Sequence, residues 1–500
     1  MDSMKKFYLT TSIVYANNKP HIGFALELVQ ADAITRFHRQ QGEDVRFLTG
    51  TDEHGMKILR AAKNKNKTPQ KFVGEIVEMV KDLATKLNIS YDDFIRTSDE
   101  KRHWPSVVKI WQKLLISNDL YKKSYQGLYC VGHESFLKES DLKDGLCPDH
   151  QTKPEVLEEE NYFFRLSKYT DKVKDLIMKG ELKIIPEFRK NEILSFLEKG
   201  LEDISFSRSS KKLSWGVPVP GDDSQTIYVW VDALINYISA LGYAENSESF
   251  KKYWPADVQI IGKDILRFHA AIWPAMLLSA DIPVPKTLVV HGFINIGGAK
   301  MSKTIGNIID PLELVEKYGV DALRYYLLRE IPAQEDGEFT IEKFEGRYQA
   351  DLANGLGNLV ARVVSIADKH KNVILRNGNF DEVDRRVAGI WEEYKKYLNE
   401  FRYNLALEQI WRLIKFCDEY IEVQRLWELP EKSKEEFGRV ITELLLYLAH
   451  IALLIDPFLP STSEKILKQL GIKKESTKPW LAQLNVKKGK ALFPKLNVKA

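Results

Sequence analysis

Two short segments carry residue types suited to handling a triphosphate. The first is His21-Ile22-Gly23-Phe24, just after an apolar run that ends near Ile13. An imidazole at position 21 can donate a hydrogen bond to a phosphate oxygen. Gly23 lets a base or ribose approach the backbone closely, and a helix N-terminus there offers unpaired N–H groups and a positive dipole end. The second is Gly297-Gly298-Ala299-Lys300-Met301-Ser302-Lys303-Thr304, about 280 residues later. It joins a glycine hinge to two ammonium groups three residues apart, which could neutralise charge developing on a departing pyrophosphate. Taken singly, each has a plain reading: a capping His before a core helix, and a solvated Lys pair on a loop. In this order the two point to a nucleotide site. A third constellation is Cys130-Val131-Gly132-His133 with Cys147-Pro148-Asp149-His150, two C-x2-H pairs with thirteen residues between them. Two thiolates and two imidazoles make a closed tetrahedral zinc site, structural because four protein ligands leave no open position. The plain alternative is two small buried Cys and two surface His.

The elements that must position these residues follow from periodicity. Phe7 to Ile13 reads as a strand, Gly23 to Gln40 as a helix, and Val45 to Thr49 as the next strand. Such alternation predicts a parallel sheet, which binds ligands beyond the carboxyl ends of its strands. The rhythm breaks from about residue 116 to 215, where two of the three Cys lie among many charges and a Gly/Pro stretch. An inserted domain is expected there. The strand-helix pattern resumes with Ile227 to Trp230, Val258 to Ile261 and Leu288 to Val290. After about residue 345, segments 346–370, 386–402, 404–428, 434–455 and 461–470 carry helical periodicity, punctuated by Pro430, Pro457 and Pro460. Ser461 to Ser463 read as a helix start. These segments predict a helical bundle. Leu492 and Phe493 in the Lys-rich end are expected to dock on it.

Composition bounds the rest. Five hundred residues imply three or four domains, and 44% apolar content fills sizeable cores. A net charge of +3 is nearly balanced, so it announces no nucleic-acid binder by itself. Three Cys without a framework pattern favour a reducing compartment. The N-terminus lacks a signal-peptide layout, and the longest apolar stretch, Leu444 to Ile455, contains His450 and is too short to span a bilayer. A soluble, cytoplasmic protein is expected.

The ordered motifs resemble those of class I aminoacyl-tRNA synthetases, and over nearly the whole chain those of the methionyl-tRNA synthetase family. The resemblance includes Tyr15-Ala16-Asn17, Thr51-Asp52-Glu53-His54-Gly55, Val229-Trp230-Val231-Asp232-Ala233 and Gly262 to His269. His291-Gly292-Phe293 leads into the lysine loop. One departure is visible: the family's first signature usually ends in His, and position 24 is Phe.

The resemblance implies an α/β fold: a Rossmann-type parallel-sheet catalytic domain with an inserted knuckle domain, followed by an all-α bundle. The expected divisions are a first catalytic half at 1–115, the inserted connective domain with its zinc knuckle at 116–220 and a second catalytic half at 221–295. A lysine-signature and stem-contact region at 296–345 and an anticodon-binding bundle at 346–500 complete them. The implied reaction is activation of L-methionine by ATP, with Mg2+, and transfer to tRNA. His21, Lys300 and Lys303 take the catalytic positions, and Asn17, Gly23, Asp264 and Ser302 join them around ATP. Asp52 pairs with the substrate ammonium. Ser12, Ile13, Tyr15, Trp230, Ala233, Leu234, Tyr237, Ile265 and His269 line the methionine pocket. A thioether suits aromatic edges, and Tyr237 and His269 can offer donors to its sulfur. Arg208 matches a further polar active-site position. In this family the insertion often bears one structural Zn2+, here on Cys130, His133, Cys147 and His150. Asn358, Arg362 and Trp427 match anticodon-reading positions, although Leu426 stands where a Pro commonly precedes the Trp.

Three alternatives remain open at this level. A class I synthetase for valine, leucine, isoleucine or cysteine is one, but the branched-chain enzymes carry a longer editing insertion than the roughly 100 residues here. A small-molecule nucleotidyltransferase would not need a helical bundle. A non-catalytic tRNA-binding relative would not need Asp52, Lys300 and Lys303. The chain ends near the close of the family's core, without the tRNA-binding dimerisation domain that many relatives append, so a monomer is expected unless a separate chain supplies that domain.

Overall fold

Phe7 to Leu9 and Phe47 to Leu48 are wholly apolar and form buried strands, as a sheet covered on both faces requires. The computed structural model describes residues 4–132, 135–137, 139–149, 151–296, 299–300, 309–376, 378–473 and 484–496. It contains two compact units. The first comprises Met1–Pro20, His38–Thr85 and Ser90–His291; the second comprises His21–Phe37, Lys86–Ile89 and Gly292–Ala500.

The first unit is built on parallel strands β1 (Lys6–Thr11), β2 (Val14–Tyr15), β3 (Asp44–Asp52), β4 (Asp93–Arg96), β5 (Lys183–Ile185), β6 (Val258–Gly262) and β7 (Thr287–His291). β1 lies between β3 and β6, β7 follows β6, and β5 closes that side. β4 takes the far edge of β3, and β2 continues along the edge that β1 uses. Chain order runs one way from β1 to β3 and the other way from β6 to β7. The β1/β6 boundary is therefore the switch point beyond which such sheets bind ligands.

Two expectations need correction. Ile227 to Trp230 is not a strand of this sheet. An antiparallel strand of a separate three-stranded sheet ends at Ile227, and a helix spans Val229–Leu234. The β-branched and aromatic run gave a strand signal, but Ile227, Tyr228 and Val229 are buried in succession, where periodicity cannot separate helix from strand. The segment 116–220 is also not all insertion. Ile184 and Ile185 form β5 and pair with β7. The remainder centres on a four-stranded antiparallel sheet in the order Ser135–Leu137, Leu120–Cys130, Glu155–Phe164, Ile204–Ser205.

Two helices carry expected site residues: α1 (Ile22–Gln40), whose residues up to Phe37 belong to the second unit, and α2 (Val229–Leu234) in the first. The second unit contains the expected bundle: α3 (Asn358–Lys369), α4 (Asp381–Asn399), α5 (Tyr403–Val423), α6 (Lys434–Ile455) and α7 (Pro460–Leu470). α4 starts earlier than its apolar period suggests, on acidic residues Asp381, Glu382 and Asp384 that favour a helix N-terminus. Pro460, not Ser461, opens α7. A π-helical stretch, Tyr348–Gly357, leads into α3. Gly357 is required there, since a Cβ would lie 2.9 Å from the Leu352 carbonyl. α6 is longer than the apolar run within it, and is long and apolar enough to cross a membrane. Most of its apolar window is buried in the bundle, as in a core helix.

One buried cation knots this unit together. Arg324 donates to Asp32 (2.7 Å) and to the carbonyls of Leu87 (3.1 Å), Pro457 (2.9 Å) and Phe458 (2.8 Å). Leu492 and Phe493 are buried as expected. Phe493 packs edge-on against Tyr348, whose hydroxyl donates to the Pro494 carbonyl (2.8 Å).

Candidate active site

The register of β2 on β3 sets Tyr15 beside Asp52. The Ala16 amide donates to the Asp52 carbonyl (2.8 Å), the Asn17 amide to that of Tyr15 (2.8 Å), and the Ser12 amide to that of Ile260 on β6 (3.0 Å). The segment Ser12 to Asn17 is thus pinned across the carboxyl ends of three strands. Asp52 is 7% exposed at the end of β3. The next residue anchors it. Glu53 is fully buried and accepts from Arg96 Nε and Nη2 (both 2.8 Å), Thr51 Oγ1 and Ser98 Oγ (both 2.5 Å). Sequence reasoning gave Glu53 no role, although it sits inside a quoted motif.

Trp230, Tyr237 and His269, three of the expected methionine-pocket residues, are joined by ring contacts. Trp230 stacks on Phe268 at 3.8 Å and meets His269 edge-on at 6.5 Å. Ala233, Leu234 and Tyr237 follow Trp230 at offsets three, four and seven, the spacing of one helix face. Ile13, Tyr15, Trp230 and Ile265 pack, partly buried, against the core of the unit. Tyr237 and His269 are both 1% exposed. His269 Nδ1 faces the Ile265 carbonyl at 3.0 Å, so that nitrogen carries the proton. Nε2 then accepts from the Tyr237 hydroxyl (2.7 Å). Burial pushes His269 down to about 4, only partly opposed by the Ile265 carbonyl, so the ring is neutral. The expectation that these two groups donate to a sulfur is corrected here. The Tyr237 proton and the His269 proton are both spent on protein acceptors.

A second buried cluster lies outside the expected residues. His54 Nδ1 donates to Asp232 Oδ2 (2.7 Å), and His103 Nε2 donates to Asp232 Oδ1 (2.9 Å). Ser239 Oγ holds His103 Nδ1 at 2.7 Å. Burial alone would raise the Asp232 pKa. The pull of His54 and the hydrogen bonds of both imidazoles outweigh it and hold the carboxyl well below its ordinary range. His54 and Asp232 sit in quoted motifs, whereas no pattern marks His103.

Beyond β6, Gly262 makes room for Asp264. A Cβ at 262 would lie 2.7 Å from Asp264 Oδ1 and 3.7 Å from the His291 ring. Arg208 is buried between the rings of Tyr228 (4.4 Å) and Tyr129 (5.5 Å), and donates to Ser205 and Ser207. It touches the α2 region through Tyr228, the residue before that helix. In the second unit, His21 is exposed at the start of α1, and its Nδ1 accepts from the Gly23 amide (3.1 Å). The plain capping role therefore coexists with an accessible ring. Phe24, the departure in the first signature, is buried. The Lys300 backbone pairs antiparallel with Asn295, but its side chain, Ser302 and Lys303 lie outside the described residues.

In the insertion, Cys130, at the end of a sheet strand, and Cys147, in a connecting segment, are both buried. Cys147 sits in a tight turn: its amide donates to the Thr152 carbonyl (2.9 Å), and its carbonyl accepts from the Gln151 amide (2.8 Å). His133 and His150 lie outside the described residues. Among the described residues no group of three His, Cys, Asp or Glu is arranged to hold a metal. In the bundle, Asn358 is exposed at the start of α3, with Arg362 one turn on. Arg362 lies over the ring of Trp427 at 5.5 Å and donates to Glu422 (2.8 Å). Trp427 is 51% exposed, so it does not cap the core.

The sequence model for tRNA synthetases class I (M) matches residues 7–153 and 139–364, and that for the anticodon-binding domain of tRNA ligase matches 382–492. The chain is 45% identical to the methionine--tRNA ligase of Caldanaerobacter subterraneus subsp. tengcongensis, over 99% of this chain and 79% of that protein. It is 42% identical to the methionine--tRNA ligase of Bacillus subtilis, over 98% and 78%. Among solved structures, the Mycobacterium tuberculosis methionyl-tRNA synthetase in complex with methionyl-adenylate is similar at 39% identity. Its TM-score is 0.92, covering 98% of this chain and all of that one. These matches run through both units and take in the parallel sheet, the ring cluster of Trp230, Tyr237 and His269 and the bundle, and the chain belongs to the methionyl-tRNA synthetase family of class I aminoacyl-tRNA synthetases.

Proposed function

We infer that this chain is a methionine–tRNA ligase. It activates L-methionine with ATP to methionyl-adenylate and pyrophosphate, then passes the methionyl group to the 3′ end of its tRNA. Family membership over both units carries this reading, and the chemistry of the site supports it. In the first step a methionine carboxylate oxygen attacks the α-phosphorus, and the bond to pyrophosphate breaks. The nucleophile is already ionised, so the protein's task is positioning and charge stabilisation. Asp52 takes the substrate ammonium as a charge-assisted pair in a closed pocket. Ser12, Ile13, Tyr15, Trp230, Ala233, Leu234, Tyr237, Ile265 and His269 surround the side chain. With the Tyr237 and His269 donors engaged, the thioether meets ring edges and apolar walls. His21, Lys300 and Lys303 stabilise the phosphates, with Asn17, Gly23, Asp264 and Ser302 around the nucleotide and its Mg2+. Arg208 acts on α2 through Tyr228.

The same reading gives Asn358, Arg362 and Trp427 the anticodon. An exposed indole with a guanidinium over its face suits stacking of an unpaired base. The knuckle holds one structural zinc on Cys130, His133, Cys147 and His150. The buried thiols and the tight turn at Cys147 fit a soft metal site. The enzyme acts in the cytoplasm as a monomer, and a solution mass of 57.7 kDa checks the assembly. The deciding assay is ATP–pyrophosphate exchange across twenty amino acids. Methionine alone should drive it, and Lys303→Ala should lower it steeply with the fold intact. Equal exchange with valine or cysteine would overturn the assignment.

A further inference from the structure

The buried cluster of His54, Asp232 and His103 takes no part in the roles above. We propose that it is a positioning clamp that sets the span between Asp52 and the side-chain pocket, and so the length of amino acid that the site accepts. The inference rests on the methionine-activation reading. Its geometry is unusual for a packing device. Three ionisable side chains are each 2% exposed or less, and both oxygens of one carboxylate are taken by imidazole N–H groups at 2.7 and 2.9 Å. Burying a carboxylate is costly unless it is fully hydrogen-bonded, and an apolar trio would fill the same space without that cost.

What the cluster joins gives it a purpose. His54 lies two residues past Asp52, beyond the end of β3. Asp232 lies on α2 between Trp230 and Ala233. His103 is tied through its other nitrogen to Ser239, at the end of the short helix Asn236–Ser239 that carries Tyr237. The ammonium end of the pocket comes from a strand terminus, and the thioether end comes from two helices. The carboxylate of Asp232 binds the first to the second through His54 and to the third through His103. None of the three is a catalytic residue; all act through Asp52, Trp230 and Tyr237. A displacement of about 1 Å between such groups is enough to cost on the order of a hundredfold in rate. A site that measures length this way discriminates one methylene by roughly 10–200-fold.

The test compares Asp232→Asn, His103→Leu and His103→Gln in the full chain by pyrophosphate exchange. Asp232→Asn sets an amide N–H against an imidazole N–H, His103→Leu removes the second donor, and His103→Gln keeps a donor near the Nε2 position. The readouts are KM for methionine, KM for ATP, and the ratio of kcat/KM for methionine over its S-ethyl homologue. That ratio does not depend on the fraction of folded protein. Asp232→Asn and His103→Leu should raise KM for methionine at least tenfold, leave KM for ATP within about twofold, and lower the ratio at least fivefold. His103→Gln should recover both to within about threefold. If Asp232→Asn does not accumulate, the His103 pair carries the comparison. An unchanged ratio in His103→Leu, or equal rises in both KM values, would overturn the clamp and leave a purely structural cluster. Absence of methionine-dependent exchange in the unaltered chain would instead overturn the reading beneath it.

Discussion

Replacing Tyr237 with Phe removes one oxygen and little volume, and the structure says what that oxygen does. It donates to His269 Nε2 at 2.7 Å, while His269 Nδ1 stays committed to the Ile265 carbonyl. Both side chains are buried, so bulk water does not take over the lost contact. The variant strands one ring nitrogen as an unsatisfied buried acceptor, a loss of about 1–3 kcal/mol of stability. The effect on methionine should be small by comparison. The aromatic wall remains, and the hydroxyl proton was directed at His269, not at the substrate. KM for methionine should rise by less than about tenfold, equivalent to less than about 1.4 kcal/mol. Urea unfolding gives the stability change, and pyrophosphate exchange gives KM. The double variant with His269→Leu should be no less stable than Tyr237→Phe, because it removes the stranded acceptor. Tyr237→Phe with unchanged stability and a hundredfold higher KM would refute the reasoning. The hydroxyl would then be a direct ligand of the sulfur, and the tautomer assigned to His269 would be wrong.

Four further outcomes are expected. His269 is held neutral in the folded chain down to about pH 4, whereas an unfolded imidazole takes its proton near 6.5. Its contribution to stability is full above pH 6.5 and is lost as pH falls from 6.5 towards 4, about 3 kcal/mol in all, and His269→Gln should flatten that part of the urea-midpoint profile. Arg324→Met leaves three buried carbonyls without a donor and Asp32 with Arg36 as its remaining cation, and should lower stability by about 3–5 kcal/mol, read by denaturant unfolding of the bundle. Trp427→Ala should weaken aminoacylation by a stacking loss of about 1–3 kcal/mol while sparing pyrophosphate exchange; equal losses in both assays would overturn its anticodon role. Cys130→Ser should abolish a zinc content near one per chain in protein purified without chelator, measured by elemental analysis.

Much of this was legible in the chain because the relevant signals are local. β1 and α6 each carry an unbroken apolar run, Phe7 to Leu9 and Leu444 to Leu448, that marks a buried element before any packing is considered. The motifs around Asp52 and Asp264 stand out for the same reason, as contiguous residues just at or past strand ends. What escaped depends on distant partners. The three residues of β5 carry no period of their own and become a strand only by pairing with β7. The run from Ile227 to Trp230 splits into a strand end and a helix start because Tyr228, extended at φ −64° and ψ 134°, serves as the N-cap. The direction of the Tyr237 and His269 protons could not be read, since the Ile265 carbonyl that fixes both is exposed to the ring only by the fold. His103 has no motif around it; its meaning comes from a carboxylate 129 residues away.

Arg324 gives the second unit a calendar as well as a shape. The groups it gathers span the chain from Asp32 on α1 to Phe458 just before α7. During synthesis Asp32 emerges more than four hundred residues before the carbonyls that complete the knot. At about 5–20 residues per second that wait is on the order of twenty seconds to a minute and a half. Throughout it, the buried Asp32 lacks the completed knot around Arg324. The first unit has its last strand, β7, by residue 291, so it can close on the ribosome while the second cannot. The nascent chain should therefore be most in need of chaperone cover between the completion of β7 and the arrival of Phe458. Truncations ending just short of Pro457 should keep a folded sheet unit and expose α1 to proteolysis.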